Sequence, residues 1–138
     1  MAYGFFGRLL EVDLTHRRTG ERAVTEEQIR CYFLGSGLAA RMLYDTLDPH
    51  ADPFAPESPL MFLSGLFTGG TLPGTSKLCV CARSPLTGIW NEATVGGHWP
   101  AELRKCGWDG VIVTGRADSP VTLFITGDRV ELRDASAL

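Results

Sequence analysis

Between Gly65 and Gly97 the chain runs Gly-Leu-Phe-Thr-Gly-Gly-Thr-Leu-Pro-Gly-Thr-Ser-Lys, then the apolar Leu78-Cys79-Val80-Cys81-Ala82. Arg-Ser-Pro-Leu-Thr-Gly follows, and after Ile89 to Asn91 comes Glu-Ala-Thr-Val-Gly-Gly. Glycine lets backbone N–H groups approach a ligand closely and admits conformations closed to other residues. One cation, Lys77, stands at the end of the first loop. A glycine-walled loop ending in a cation, set between two strand-like runs, is a surface for an anionic, planar ligand.

Length and charge limit that reading. The 138 residues suit one domain, large enough to bury a core but small for a complete redox enzyme with a bound cofactor. A net charge of −3 argues against general affinity for nucleic acid or an anionic membrane. No apolar run reaches membrane-spanning length, and the N-terminus lacks the basic start, apolar core and cleavage site of a signal peptide. The cytoplasm is the expected compartment.

The four cysteines, Cys31, Cys79, Cys81 and Cys106, form no C-x-x-C or C-x-x-x-C pair. Cys79 and Cys81 lie two apart in a strand-like run, so both thiols point to one face. Core packing is expected there in preference to metal ligation, because structural metal sites use other spacings. No iron–sulfur motif is visible.

The partial alternation of Arg8 to Leu14, a polar stretch over Thr15 to Gly20, and Glu21 to Val24 predict a first hairpin. Thr25-Glu26-Glu27-Gln28 has capping-box form and predicts a helix toward Leu34. Leu38, Met42 and Leu43 continue an apolar helical face toward Leu47. Prolines 49, 53, 56 and 59 then impose a loop, because proline neither continues a helix nor donates to a ladder. Leu60 to Leu63 and Leu78 to Ala82 are expected as buried strands with the glycine loop between them. Glu102 to Lys105 is a short helix stopped by Gly107. Val111 to Val113, Val121 to Ile125 and Val130 to Leu132 are strands, the last two joined by a turn at Gly127-Asp128. Strand groups with intervening short helices make an α+β fold.

Two motifs are weaker than they look. Gly69 to Lys77 resembles a phosphate-binding loop, but two residues separate Gly74 from Lys77, and the lysine misses its position. Gly35-Ser36-Gly37-Leu38-Ala39-Ala40 fits the G-x-G-x-x-A dinucleotide fingerprint, which requires a strand before it. The capped segment that precedes it reads as helix, so small residues at a helix bend are expected.

In order and spacing the chain resembles the N-terminal part of the aldehyde ferredoxin oxidoreductases, tungsten-pterin enzymes. The resemblance rests on Gly4 to Leu14, Phe33 to Ala40, Ser64 to Gly69, Ala82-Arg83-Ser84-Pro85-Leu86-Thr87-Gly88, Gly96-Gly97 with Ala101-Glu102-Leu103, and Gly107 to Val113. It implies an α+β domain, here residues 1–138, forming the base on which a bis-pterin cofactor sits with tungsten or molybdenum held by dithiolene sulfurs. In similar proteins a basic residue after the glycine loop contacts the pterin near an iron–sulfur cluster, and Lys77 occupies that position. Thr94, Val95, Gly96 and Gly97 correspond to the segment that approaches the pterin, with the Thr94 backbone carbonyl as a ligand to magnesium between the two phosphates. Lys77 replaces a more usual arginine and loses its planar fork; Thr94 replaces an asparagine, so a side-chain contact is lost and a carbonyl contact survives.

The resemblance further implies aldehyde oxidation to carboxylic acid, with electrons passing through a 4Fe-4S cluster to ferredoxin. The cluster and the substrate pocket are expected from domains beyond this chain, which stops inside the family's first domain, so the isolated chain is expected to be inactive alone. The implied partners are ferredoxin and the remaining domains of the same enzyme, and a homodimer is compatible with them. No catalytic residue is assigned. His16 and His50 are expected in solvent, His98 in a supporting role, and Glu92 and Glu102 as exposed carboxylates. Two alternatives stand beside this reading: a non-catalytic pterin- or partner-binding scaffold, and a dinucleotide-binding domain using Gly35 to Ala40.

Overall fold

The capping box forms as its sequence predicts. Thr25 Oγ1 accepts from the Gln28 N–H at 3.2 Å, and Gln28 Oε1 accepts from the Thr25 N–H at 2.9 Å. A computed structural model describes residues 4–127 and 129–137. Its elements run β1 (Arg8–Asp13), β2 (Arg18–Ala23), α1 (Glu26–Tyr32), α2 (Ser36–Thr46), β3 (Leu60–Ser64), β4 (Lys77–Arg83) and β5 (Trp90–Gly96). They continue as α3 (Trp99–Lys105), β6 (Gly110–Thr114), β7 (Val121–Thr126) and β8 (Arg129–Asp134). The architecture is α+β, as expected.

Six strands make one mixed sheet in the order β2-β1-β6-β3-β4-β5, and β7 and β8 pair separately. Only the β1–β6 pair in the large sheet is parallel. Alternation along the strands divides the core in two. Leu9, Met61, Leu63, Cys81 and Ile112 face α1 and α2, packing on Ile29, Leu38, Ala39 and Met42. Leu10, Val12 and Val111 face the other way, onto Leu103 of α3 and Trp108, with Leu123, Ile125, Val130 and Leu132 of the small sheet against them.

The predicted hairpin, the proline loop and the strands at 60, 78, 111, 121 and 130 all form. Asp128, half of the predicted tight turn, lies outside the described residues. Strand β5 is not foreseeable from apolar pattern, because every one of its residues is exposed at the sheet edge. It forms because β4 offers it a ladder partner at each position from Lys77↔Gly96 to Arg83↔Trp90. Helix α3 begins at Trp99, three residues before the predicted start, with Pro100 in its first turn. It ends in a Schellman motif: the Gly107 N–H donates to the Arg104 carbonyl at 2.9 Å and the Trp108 N–H to the Leu103 carbonyl at 3.3 Å. Gly107 stands at φ +82°, as a residue stopping the helix there must.

The fingerprint-like Gly35 to Ala40 spans the N-cap and first residues of α2 and follows α1, so the strand that a dinucleotide site requires is missing from its N-terminal side. Gly37 has a packing reason instead: a Cβ there would stand 2.2 Å from the Tyr32 carbonyl oxygen.

The shared face of Cys79 and Cys81 is confirmed, with Cys81 in the core and Cys79 packed at its border. Burial, with Cys79 and Glu92 nearby, pushes the Cys81 thiol up to about 12. The thiolate is the reactive form, so iodoacetamide at pH 8 should label exposed Cys31 and spare Cys81 in the folded chain. Peptide mapping after alkylation checks this; equal labelling of the two would contradict it.

Candidate functional site

The glycine-rich loop between β3 and β4 is closed at its neck by Thr68, a buried residue. The Thr68 hydroxyl lies 2.8 Å from the Lys77 carbonyl oxygen and 3.0 Å from that of Thr75, and it accepts from the Lys77 N–H at 3.2 Å. The Gly65 N–H donates to the same Lys77 carbonyl at 3.0 Å. Inside the loop, Thr75 Oγ1 reaches the carbonyls of Phe67 at 3.0 Å and Leu72 at 2.8 Å. Ser76 Oγ donates to the Gly97 carbonyl at 2.5 Å, tying this loop to the one after β5. The position of Lys77 is thus set by hydrogen bonds at both ends of the loop.

Lys77 and Gly96 are cross-strand partners. The Lys77 amine nitrogen lies 3.5 Å from where a Gly96 Cβ would be, so the missing side chain leaves room for the ammonium group. Gly97 has φ +110° and open space on its side-chain side. These residues border a cavity of about 560 Å³ with Gly69, Gly74, His98 and Lys105, and no carboxylate side chain lines it among the described residues. A second cavity of about 480 Å³ adjoins it across the loop, sharing Gly69, Gly70, Leu72, Ala101 and Lys105 and reaching Phe6 and Arg104.

Beneath the loop lies a buried ion pair. Asp109 is 0% exposed and its carboxylate accepts from the N–H groups of Phe6 at 2.9 Å, Gly7 at 2.7 Å and Arg8 at 3.3 Å, and from the Arg104 guanidinium. Arg104 also donates to the Gly4 carbonyl, and its Cβ would lie 3.3 Å from a Cβ at Gly69. Burial disfavours the Arg104 charge and lowers its pKa, and the carboxylate supplies the compensating partner. This anchor joins the N-terminal segment, α3 and the floor of the glycine loop.

Of the residues expected at the site, Lys77, Gly96 and Gly97 converge on one cavity. Val95 and Thr94 lie one and two residues before Gly96 in β5, outside its lining, and alternation puts Thr94 on the face of Lys77 and Val95 on the opposite one. β5 is an edge strand, so half of its carbonyls face away from β4 and lack a ladder partner. His98 lines the cavity. Glu102 holds Lys105 at 2.6 Å, and Glu92 lies 3.9 Å from Cys79 Sγ. His16 pairs with Asp13 at 2.6 Å on the exposed hairpin, and that hydrogen bond holds the Asp13 carboxyl below its usual range. The sequence assigns no site role to Thr68, Arg104 or Asp109. Only Thr68 carried a local signal, a hydroxyl residue entering a glycine turn.

Space left by Gly96 and Gly97 beside the Lys77 ammonium group fits a planar, anionic group. No three His, Cys, Asp or Glu side chains among the described residues are grouped to hold a metal ion. A separate cavity of about 500 Å³ under β7 and β8 is apolar, lined by Val12, Phe62, Val111 and Leu123, and is the seam where the small sheet meets the large one. No helix among the described residues is long and apolar enough to cross a membrane.

Residues 9–138 match the family model described as aldehyde ferredoxin oxidoreductase, N-terminal domain. Tungsten-containing aldehyde ferredoxin oxidoreductases are similar to the chain: that of Thermococcus kodakarensis is 42% identical over 139 residues and that of Pyrococcus abyssi 40% over 134. The alignments cover 99% and 97% of this chain and 22% of each relative, so the chain spans about a fifth of their length. Among solved structures, the active site complex BamBC of benzoyl coenzyme A reductase with 1,5-dienoyl-CoA superposes with a TM-score of 0.95. It is 36% identical, with 98% of this chain and 21% of that one covered. The chain belongs to the aldehyde ferredoxin oxidoreductase family, of which it carries the N-terminal domain.

Proposed function

We propose that this domain binds the cofactor in a tungsten or molybdenum bis-pterin oxidoreductase of the cytoplasm that oxidises aldehydes to carboxylic acids and passes electrons through a 4Fe-4S cluster to ferredoxin. The observation that carries the proposal is the convergence of Lys77, Gly96 and Gly97 on one glycine-walled cavity free of carboxylates among the described residues. Lys77 supplies positive charge to a phosphate or pterin oxygen, as a point donor lacking the fork of an arginine. Gly96 and Gly97 clear space for the rings, and the Thr94 carbonyl, on the edge strand, is the proposed magnesium ligand. The metal, when bound, supplies the two-electron redox chemistry; the protein's own part here is to hold and orient the group that carries it. Cluster ligands and the substrate pocket belong to other domains of the enzyme. The chain's four cysteines are dispersed over α1, β4 and the end of α3.

In the enzyme that carries this domain, Lys77→Ala should lower cofactor occupancy, with metal and pterin content falling together and turnover per mole of protein falling in proportion. Inductively coupled plasma mass spectrometry with pterin fluorescence after oxidation reads both. Unchanged metal content, pterin content and turnover would remove Lys77 from the site.

A further inference from the structure

We infer that Lys105 is a second ligand-binding cation of the glycine-walled trough, held in place by Glu102 until a ligand with two anionic groups, such as a pair of phosphates, arrives. This inference rests on the cofactor reading above and adds a residue to it.

Lys105 is the last residue of α3 and borders both cavities, on either side of the glycine loop. It therefore stands at the junction of the two lobes, while Lys77 stands in one of them. The described lining of the larger lobe has no carboxylate, and Glu102, the partner of Lys105, stands outside it. The chain as a whole is net negative, so two lysines bordering one concave surface give an anion a local site that the overall charge does not. One monoanion would be answered by Lys77 alone; a second cation across the glycine wall suits a ligand with a second anionic group.

Lys105 Nζ donates to Glu102 Oε1 at 2.6 Å, with both side chains about two-thirds exposed. An exposed pair of this kind is weak and exchanges readily. A phosphate entering the trough competes with Glu102 for the ammonium group at little cost, and the arm that carries Lys105 stays near the trough in the meantime.

The competition makes the sign of one variant distinctive. With inorganic pyrophosphate as probe in about 50 mM salt, the full chain should bind, and Lys105→Gln should weaken binding about fivefold, near the Coulomb interaction of one cation with one charge in water. Lys105→Arg should restore binding. Glu102→Gln should tighten it, because Lys105 is then unopposed. Raised salt should shrink all these differences. Calorimetry gives the constants, and a thermal melt of each variant checks that these exposed positions leave the fold intact.

Absence of pyrophosphate binding by the parent chain would overturn the inference. So would Lys105→Gln binding as the parent does, or Glu102→Gln binding more weakly. If Lys77→Ala loses pyrophosphate and cofactor while Lys105→Gln keeps both, Lys105 is no ligand and the cofactor reading stands. If Lys77→Ala keeps the cofactor as well, the cofactor reading falls with it.

Discussion

Asp109→Ala should destabilise this domain by about 3–5 kcal/mol, the loss expected when one partner of a buried ion pair is removed. Its carboxylate answers the Arg104 guanidinium and three consecutive backbone N–H groups, at Phe6, Gly7 and Arg8. Alanine leaves all of them without their acceptor, and Arg104 is only 3% exposed, so water cannot take over. Against the roughly 5–15 kcal/mol by which domains are stable, that is a large share. A fall in melting temperature of roughly 10–25 °C should follow. Asp109→Asn keeps the shape and one acceptor oxygen, and should fall between the two. Arg104→Met combined with Asp109→Ala should cost less than the two single losses added together, because no uncompensated charge remains. Urea titration of the four variants tests the account. An Asp109→Ala melt within a couple of degrees of the parent would show that the pair anchors nothing.

The same variant should reach the site. Arg104 packs its stem under Gly69, so loosening the anchor loosens the floor of the glycine loop and, through Thr68, the end that sets Lys77. Cofactor content should therefore drop in Asp109→Ala even at a temperature where the protein is still folded.

Elements whose signal is local were legible in the sequence. Thr25 and Gln28 announce α1 because their side chains bond the backbone within one turn. Gly107 announces the end of α3 because a left-handed residue is needed there. The apolar runs at 60 and 111 announce strands because both of their faces are covered, and that at 78 because Cys79 and Cys81 pack against the helices. β5 was not legible, since nothing in Trp90 to Gly96 is buried and only the neighbouring β4 makes it a strand. The start of α3 is not legible because His98 makes no side-chain capping bond and the first turn is carried by Pro100.

The site divides in the same way. Lys77 and the glycines were legible because backbone freedom beside a charge has a residue-level signature, and their convergence follows from the β4–β5 register. The roles of Arg104 and Asp109 were hidden. In sequence Arg104 belongs to a charged run that reads as a solvated helix face, and Asp109 sits in a turn. What buries them is contact with residues 4 to 8, about a hundred positions away, and no short-range pattern carries that information.

Gly37→Ala separates the two meanings of Gly35 to Ala40. In a dinucleotide site the second glycine lets a pyrophosphate approach the backbone, so its replacement should harm ligand binding and leave the fold alone. In this structure the same position faces the carbonyl oxygen of Tyr32, and an added Cβ would come within 2.2 Å of it. That oxygen is backbone and cannot rotate away, so α1 and α2 must move apart, and with them Ile29, Leu38 and Ala39 in the core. Overpacking of this kind costs about 1–3 kcal/mol, and the rigid obstacle puts Gly37→Ala at the upper end. Gly35→Ala should also be destabilising, from the backbone strain at its φ of +77°, while the Cys79 Sγ at 3.4 Å can yield. Nicotinamide and flavin dinucleotides should bind the parent chain no tighter than millimolar, with or without the substitution. Thermal melts and calorimetry on the same samples decide the matter. Micromolar binding of a dinucleotide to the parent, lost in a Gly37→Ala variant that melts like the parent, would replace the helix junction described here with a nucleotide site.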